Sequence, residues 1–292
     1  MGEPAGSPHR ADRRPGRRGS LRAVAETPAI RGAHSGRAPG RSLRSRLKPI
    51  RRVVRHPREV WHGTRGRCPV CEGPTVFVQL DGHPRNALHC LRCWSVPRRR
   101  ALTAVLGERF PGWPAARVHE FAPNPDSQEW FARRCPGYGA SHYWPDVPPG
   151  DTRDGIRCED LGALTFADAT IDLVISQDVF EHLPDPGAAA REIARVLVPG
   201  GAHVFTVPVF RDTTLVRARI GPGGEVVHEL PDEYHGSPAD PAGSLVFRDW
   251  GPDITDFLAT EAGLVTERIV IEDPRRGIVG GIQDVFVAIR PA

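Results

Sequence analysis

The clearest pattern of apolar and polar positions runs from Phe166 to Pro208. Leu173–Ile175 and Val204–Val207 are short apolar runs without alternation, as in parallel strands buried on both faces. Between them, Ile193, Val196 and Leu197 share one stripe and predict a helix of about three turns. Asp185 is placed to cap this helix, with Pro186 at its first position and Pro199-Gly200-Gly201 to stop it. Strand, helix and strand in this order make a crossover, the unit of a doubly wound α/β sheet.

Weaker patterns extend the sheet on both sides. Arg117–Phe121 reads as its first strand, Gly139–Tyr143 as the second, and a third ends at Arg157–Leu161. Asp253–Ala262 reads as a helix ended by Gly263, and Val265–Ile271 and Gln283–Ile289 as the last two strands. Gly221–Gly243 is polar and rich in Gly and Pro, an insert between the fifth strand and that helix. Earlier in the chain, Val76–Val78 is a strand candidate, Asp81-Gly82 a turn, and Leu102, Val105 and Leu106 a helical stripe.

Charge divides the chain unevenly. The net charge is +4 over 292 residues. Residues 1–60 hold sixteen Lys or Arg against four Asp or Glu, about +12, which leaves about −8 for the remainder. Residues 1–62 are expected to be a disordered Arg-rich tail, because they offer too little apolar surface to offset ordering entropy. A start codon assigned too early is the same bland reading; a tether for nucleic acid or an anionic surface is the alternative. Arg13-Arg14 and Arg17-Arg18 invite a twin-arginine signal, but no apolar segment follows them. No run approaches the ~18 apolar residues needed to span a bilayer. A soluble, cytoplasmic protein is expected.

Cysteine spacing brings in metal chemistry. Cys68 and Cys71, then Cys90 and Cys93, form two C-x2-C pairs separated by eighteen residues. Two residues between thiols let a tight knuckle aim both sulfurs at one ion, and two knuckles complete a tetrahedron. A reducing compartment favours metal over disulfide. Residues 63–97 are therefore expected to be a zinc ribbon with structural Zn2+, followed by a linking helix over 98–114. Arg98–Arg100 reads as a solvated helix start, with contact to an anionic substrate as the alternative. Cys135 and Cys158 read as ordinary thiols.

Ordered motifs carry a resemblance. An acidic residue precedes a buried strand, Glu181-His182-Leu183 follows it, and Arg195-Val-Leu-Val-Pro-Gly-Gly201 precedes the next strand. In this order they resemble the class I S-adenosylmethionine-dependent methyltransferases of the type 11 kind, over roughly residues 115–292. The ribbon, the arginines after it and the helix resemble a bacterial subset that carries a zinc ribbon and Cys-Gly-Ser-x-x-Arg-x-Arg before the catalytic domain. Trp94 stands where that pattern has Gly. The fold implied is Rossmann-like α/β with a seven-stranded sheet, preceded by the small ribbon and the basic tail.

The resemblance also implies a site for S-adenosyl-L-methionine at the ends of the first strands, where the sheet order reverses. Glu120, with Phe121 beside it, takes the acidic place that opens the family's Gly-x-Gly-x-Gly loop. The glycine places hold Ala122, Asn124 and Asp126, with Pro123 and Pro125 between them. Asn and Asp tolerate left-handed backbone, and Ala is nearly as small as Gly, so the loop is expected to turn. A loop that binds the cofactor poorly or not at all is the alternative. Where the family holds the ribose with a carboxylate, this chain offers His142, with Asp146 four residues on. His142 is read as lining and Asp146 as a surface turn residue. Asp160 and Leu161 match the pair that contacts adenine, and Ser176-Gln177-Asp178 should face the methionine portion and the methyl group.

Methyl transfer is an in-line displacement on a sulfonium, so positioning supplies much of the rate and a base is needed only for hydroxyl-like acceptors. His182, Asp178, His228 and His235 are the candidate bases, and the family resemblance makes the 221–243 insert an acceptor lid. Three functions compete. The first is a methyltransferase acting on a small molecule or sugar in bacterial biosynthesis. The second is an RNA methyltransferase that binds through ribbon and tail. The third is a non-catalytic binding module with a degenerate cofactor site.

Overall fold

The computed structural model describes residues 54–80, 82–83, 85–237 and 240–292. The expectations for residues 1–53 and for Asp81 lie outside the described residues. A short helix, α1 (Pro57–Trp61), leads into an antiparallel sheet of β1 (Thr64–Cys68), β2 (Gly73–Gln79) and β3 (Leu88–Cys90). Helix α2 (Pro97–Arg109) follows. Then come β4 (Val118–Phe121), α3 (Pro125–Ala132), β5 (Tyr138–His142), β6 (Thr152–Arg153), β7 (Ile156–Cys158), β8 (Ile171–Gln177), α4 (Pro186–Val196) and β9 (Leu197–Thr206). Short strands lie in and around the insert, between β9 and the next helix: β10 (Leu215–Val216), β11 (Ala218–Ile220), β12 (Val226–His228), β13 (Tyr234–His235), β14 (Ser244–Leu245) and β15 (Arg248–Asp249). The chain closes with α5 (Ile254–Ala262), β16 (Val265–Val270) and β17 (Asp284–Ile289).

The large sheet has the order β16-β17-β9-β8-β4-β5-β7-β6. Its five central strands pair in parallel, and β17 runs antiparallel to both neighbours. The seven expected strands are joined by an eighth, β6, which folds back on β7 as a two-residue edge. Strand β8 shows why its sequence lacks alternation. Val174 faces a core layer with Ile193, Val196, Ile254 and Leu258, while Leu173 and Ile175 face Leu102, Leu106 and Phe131 on the other side. Helices cover both faces, so the successive positions Leu173–Ile175 are all apolar.

Local signals behaved as physics requires, with one exception. Asp185 caps α4, its carboxylate accepting from the Ala188 amide at 2.9 Å. Gly263 ends α5 in the left-handed region, at φ 65°. Helix α4, however, stops at Val196, so Leu197 belongs to β9 and Pro199-Gly200-Gly201 lies inside that strand. Gly200 takes φ 80°, and the register with β8 shifts between Ile171 and Leu173. A bulge absorbs the proline, which cannot donate to a regular ladder.

The small antiparallel ribbon of β1, β2 and β3 is locked onto the large sheet by two buried cations, Arg99 and Arg100, against the expectation of a solvated helix start. Arg100 is fully buried. It donates to the carbonyls of Gly277, Leu88 and Ser95 and lies 4.7 Å over the Phe77 ring. Arg99 is buried as well, donating to the Asp126 carbonyl. The three carbonyls around Arg100 come from separate segments, and a guanidinium can meet them together because it supplies several donors in one plane. Burial draws the Arg100 pKa down to about 10. Gly277 sits at φ 69° against the same Phe77 ring, where an added Cβ would lie 2.6 Å from it.

Two core histidines make stability depend on pH. His119 and His203 are buried in the sheet, each within hydrogen-bond distance of a serine hydroxyl. Burial lowers both pKa values to about 3. The unfolded chain titrates them near 6.5. As pH falls from about 6.5 towards 3, the unfolded state takes protons that the fold refuses. Stability should then fall by about 1.4 kcal/mol per pH unit per histidine. Urea midpoints from about pH 7 to about pH 4 should show this slope, and His203→Gln should flatten it by about one proton. An unchanged slope in that variant would contradict the assignment.

Candidate active site

Strands β4 and β8 are parallel neighbours, and the order departs from them in opposite directions, to β5 and β7 on one side and to β9 and β17 on the other. The carboxyl ends of β4, β5, β7 and β8 therefore frame the crevice at a topological switch point, where open α/β sheets bind ligands. Glu120, Phe121, Ala122, Asn124, His142, Asp160, Leu161 and Gln177 all lie at or just beyond these ends.

Glu120 is a scaffold hub. It is fully buried and accepts from Ser127 Oγ at 2.6 Å, Tyr138 Oη at 2.7 Å and Gln177 Nε2 at 2.9 Å. Burial pushes its pKa up, against the pull of these donors. One carboxylate thus fixes the first turn of α3, the start of β5 and the end of β8.

The loop after β4 does turn, but by different means from those expected. Ala122 alone enters the left-handed region, at φ 49°. Asn124 is extended, and its side chain caps α3 by accepting from the Ser127 amide at 2.8 Å. Asp126 lies within the first turn of α3. Of the three places where the family pattern has glycine, only the first needs positive φ here. The second is served by a cap, which asparagine makes and glycine cannot.

On the β5 side, His142 is buried, packs 5.5 Å from the Trp144 ring and hydrogen-bonds the Pro123 backbone. Burial lowers its pKa, which favours the neutral ring. Asp146 is exposed and pairs with Arg153. After β7, Asp160 accepts from the Gly162 amide at 2.8 Å through Oδ1, and Leu161 is buried in the core. Glu159, unremarked in the sequence, is buried and holds the turn by accepting from the Thr165 amide at 2.9 Å.

The far side of the crevice is charged. Asp178 follows β8 at φ 54°. It pairs with Arg85 at 2.6 Å and Arg98 at 3.2 Å, and accepts from Thr206 Oγ1 at 2.9 Å. Burial would raise its pKa; the two arginines overcome this and hold it below the usual carboxylate range. Arg85 is 1% exposed and also donates to the carbonyls of Val207 and Ile282. Nothing in the sequence distinguishes it among 39 Lys and Arg.

Beyond Asp178 the chain makes a tight turn carrying Glu181 and His182. Glu181 is buried, and neither of its carboxylate oxygens accepts a hydrogen bond among the described residues. Burial, with the nearby Asp178 charge, raises its pKa well above the usual range. His182 Nδ1 lies 2.9 Å from the Leu245 carbonyl, so Nδ1 carries the proton and Nε2 the lone pair. The hairpin β13–β14 docks on this turn, with the Phe247 amide donating to the Glu181 carbonyl at 2.8 Å. It brings His235 Nδ1 to 3.8 Å from Glu181 Oε1, the same separation as His182 Nε2. His228 lies on the β11–β12 hairpin instead and pairs with Asp232 at 2.8 Å. Of the four candidate bases, the fold brings His182 and His235 together, commits Asp178 to ion pairs and leaves His228 outside the group.

The four ribbon cysteines converge separately, with every pair of sulfurs within 4.8 Å. Cys68 and Cys93 are 3.7 Å apart, and Cys71 and Cys90 are 3.9 Å apart.

Part of the chain is similar to known proteins. The methyltransferase domain family matches residues 137–205. An uncharacterized methyltransferase of Mycobacterium avium (strain 104) is 36% identical over 75 residues, which are 26% of this chain and 29% of that protein. Dimethylglycine N-methyltransferase of Parasynechococcus marenigrum is 48% identical over 47 residues, 16% of this chain and 17% of that one. The matched stretch thus spans less than a third of these relatives' length. Among solved structures, an S-adenosylmethionine-dependent methyltransferase of Mesorhizobium loti superposes with a TM-score of 0.42 at 17% identity, covering 65% of this chain and 97% of that one. An amino pentose methyltransferase of Micromonospora echinaspora gives 0.40 at 19% identity, over 66% and 89%. No helix among the described residues is long and apolar enough to cross a membrane. The stretch that is similar to the methyltransferase domain family thus runs from the start of β5 through β9 of the open α/β sheet.

Proposed function

We propose that this protein transfers a methyl group from S-adenosylmethionine to a small-molecule acceptor. The observation that carries the reading is the switch-point crevice, whose left-handed Ala122 turn opens directly onto a capped helix. The residues fit the cofactor in three respects. Asn124 uses its side chain on the cap and leaves the loop backbone to approach a ligand. Asp160 spends one oxygen on its own turn and keeps Oδ2 for the adenine amine, with the Leu161 amide beside it. Gln177 spends its amide nitrogen on Glu120 and Ser127, which leaves its carbonyl oxygen towards the crevice. When bound, the cofactor supplies an activated sulfonium methyl. The chain's own part is to hold the acceptor in line and exclude water. The insert brings His235 against the turn that follows β8, which makes Glu181, His182 and His235 the proposed acceptor wall.

The cysteine cluster fits a structural zinc. Four thiolates at about 2.3 Å from one ion stand about 3.8 Å apart, which the measured separations match. The Ser95 hydroxyl lies 3.1 Å from Cys93 Sγ and 3.4 Å from Cys68 Sγ. A tetrathiolate zinc site carries a net charge of about −2. The buried Arg100, whose positive charge the four thiols favour, offsets part of it.

Three outcomes test these readings. Calorimetric titration should detect S-adenosylmethionine binding. Asp160→Ala should weaken it by about 1–3 kcal/mol, the cost of a lost charged hydrogen bond; wild-type affinity would place the cofactor elsewhere. In the loop, Asn124→Ala should lower stability by about 1 kcal/mol through the lost cap. Ala122→Gly should instead leave it equal or slightly higher, since glycine relieves the left-handed strain. Cofactor affinity rising sharply in Ala122→Gly would favour the degenerate-site reading. For the ribbon, metal analysis should find a zinc equivalent that Cys90→Ser abolishes, and retention of that equivalent in the variant would exclude the four-cysteine site.

A further inference from the structure

The acceptor wall contains a buried carboxylate without a hydrogen-bond partner. Glu181 is 2% exposed at its side chain, and both oxygens are orphaned. Such a group costs several kcal/mol unless a cation or donors compensate it. Arg85 and Arg98 do not fill that role, because their pairs are with Asp178. Two imidazoles are aimed at it instead. The ligating atoms of Glu181, His182 and His235 all lie within 4.8 Å of one another.

The ring nitrogens turned away from Glu181 are also occupied. His182 Nδ1 donates to the Leu245 carbonyl at 2.9 Å, and His235 Nε2 lies 3.4 Å from Glu233 Oε1. Metal-bound histidines characteristically donate their second N–H to a carbonyl or carboxylate, which fixes the ring and leaves the other nitrogen as ligand. Here the second nitrogen in each ring is the one that faces Glu181, at 3.8 Å. Tetrahedral ligation at about 2.0–2.1 Å sets ligand atoms roughly 3.3 Å apart, so closure needs only a small inward movement. His235 is 35% exposed at its side chain, against 15% for His182, so the cluster opens towards solvent on the insert side.

We infer that Glu181, His182 and His235 form a second metal site, a two-histidine, one-carboxylate centre for a zinc-like divalent cation with its remaining position open to the methyl acceptor. Three protein ligands and an open position distinguish a substrate-binding centre from the closed tetrathiolate of the ribbon. The inference rests on the methyltransferase reading for its role and on the side-chain geometry for its existence. An acceptor bound through oxygen, such as a hydroxyl, enol or phenol, would occupy the open position. The cation would lower the pKa of that oxygen, so that its proton leaves to solvent before the oxygen attacks the methyl carbon and the carbon–sulfur bond breaks.

The test uses the full chain with its ribbon filled by zinc and excess metal removed. Co2+ is then titrated without S-adenosylmethionine, followed by calorimetry and visible absorption. One further equivalent is expected, with nitrogen–oxygen ligand-field bands and no thiolate charge-transfer band. Glu181→Gln and His235→Ala should each weaken this uptake at least tenfold, while His228→Ala leaves it unchanged. Melting curves and retained ribbon zinc check that the variants fold; should Glu181→Gln fail to fold, His235→Ala on the insert hairpin decides the matter. Absence of the extra equivalent, or equal uptake in the folded variants, overturns the inference. A parallel S-adenosylmethionine titration separates the two readings: cobalt uptake without cofactor binding would keep the metal site and remove the methyltransferase assignment, and the reverse result would do the opposite.

Discussion

The buried ion pair between Arg85 and Asp178 is the constraint through which the ribbon and the sheet become one structure. Arg85 reaches from the ribbon, 93 positions before Asp178 in the chain, and donates at once to that carboxylate and to the carbonyls of Val207 and Ile282. It therefore ties the ends of β8 and β9 to the segment entering β17. A guanidinium withdrawn so far from water costs several kcal/mol unless its partners are well placed, and removing one partner of such a pair typically costs about 3–5 kcal/mol. The ribbon thus shapes the crevice, because the residue that follows β8 owes its position and its charge to a side chain from the ribbon. Asp178 holds φ 54°, a conformation that persists in a non-glycine residue only where its surroundings over-determine it.

Glu120 performs the corresponding task at the end of β4. Its three donors come from α3, β5 and β8, so the loop after β4 is stretched between fixed points. This is why the loop dispenses with all three glycines. Glycine is needed where the backbone must visit positive φ or where a Cβ would collide. Ala122 tolerates the one left-handed position, and the asparagine cap and the helix take up the rest. Pro125 suits this arrangement, since its missing N–H falls in the first turn of α3, where no intrahelical acceptor exists.

What the sequence revealed follows from the range of each signal. Helix caps, apolar strands and the cysteine pairs are local, and Asp185, Gly263, Leu173–Ile175 and Cys68–Cys93 could be read within a window of a few tens of residues. Pro199-Gly200-Gly201 misled because a helix stop and a strand bulge use the same residues, and only the pairing of β8 with β9 decides between them. Arg98–Arg100 misled for a deeper reason. Charge normally marks solvent, yet Arg99 and Arg100 are buried against carbonyls from residues as distant as Gly277, and the half-buried Arg98 pairs with Asp178. The base candidates were legible as residue types. Their grouping was not, because His235 joins Glu181 and His182 only through the β13–β14 hairpin.

Charge balance links the ribbon to the turn that carries Glu181. Arg85 and Arg98 stand beside Asp178, and Asp178 in turn raises the pKa of Glu181. Without a cation the two carboxylates compete, and the geometry resolves the competition in favour of Asp178, which both arginines contact. Glu181 is then left the more weakly acidic of the two, a buried carboxyl that accepts no hydrogen bond among the described residues. A divalent ion between Glu181 and the two neutral imidazoles would reverse this, keeping both carboxylates ionised. The two arginines and the ion together would outweigh the two carboxylates and leave the wall positive overall. A positive, partly desolvated wall stabilises an acceptor that arrives as, or becomes, an oxyanion, which is the form in which an oxygen attacks a sulfonium methyl best. By holding Arg85 in place, the ribbon would then set the electrostatics of the methyl acceptor as well as the shape of its site.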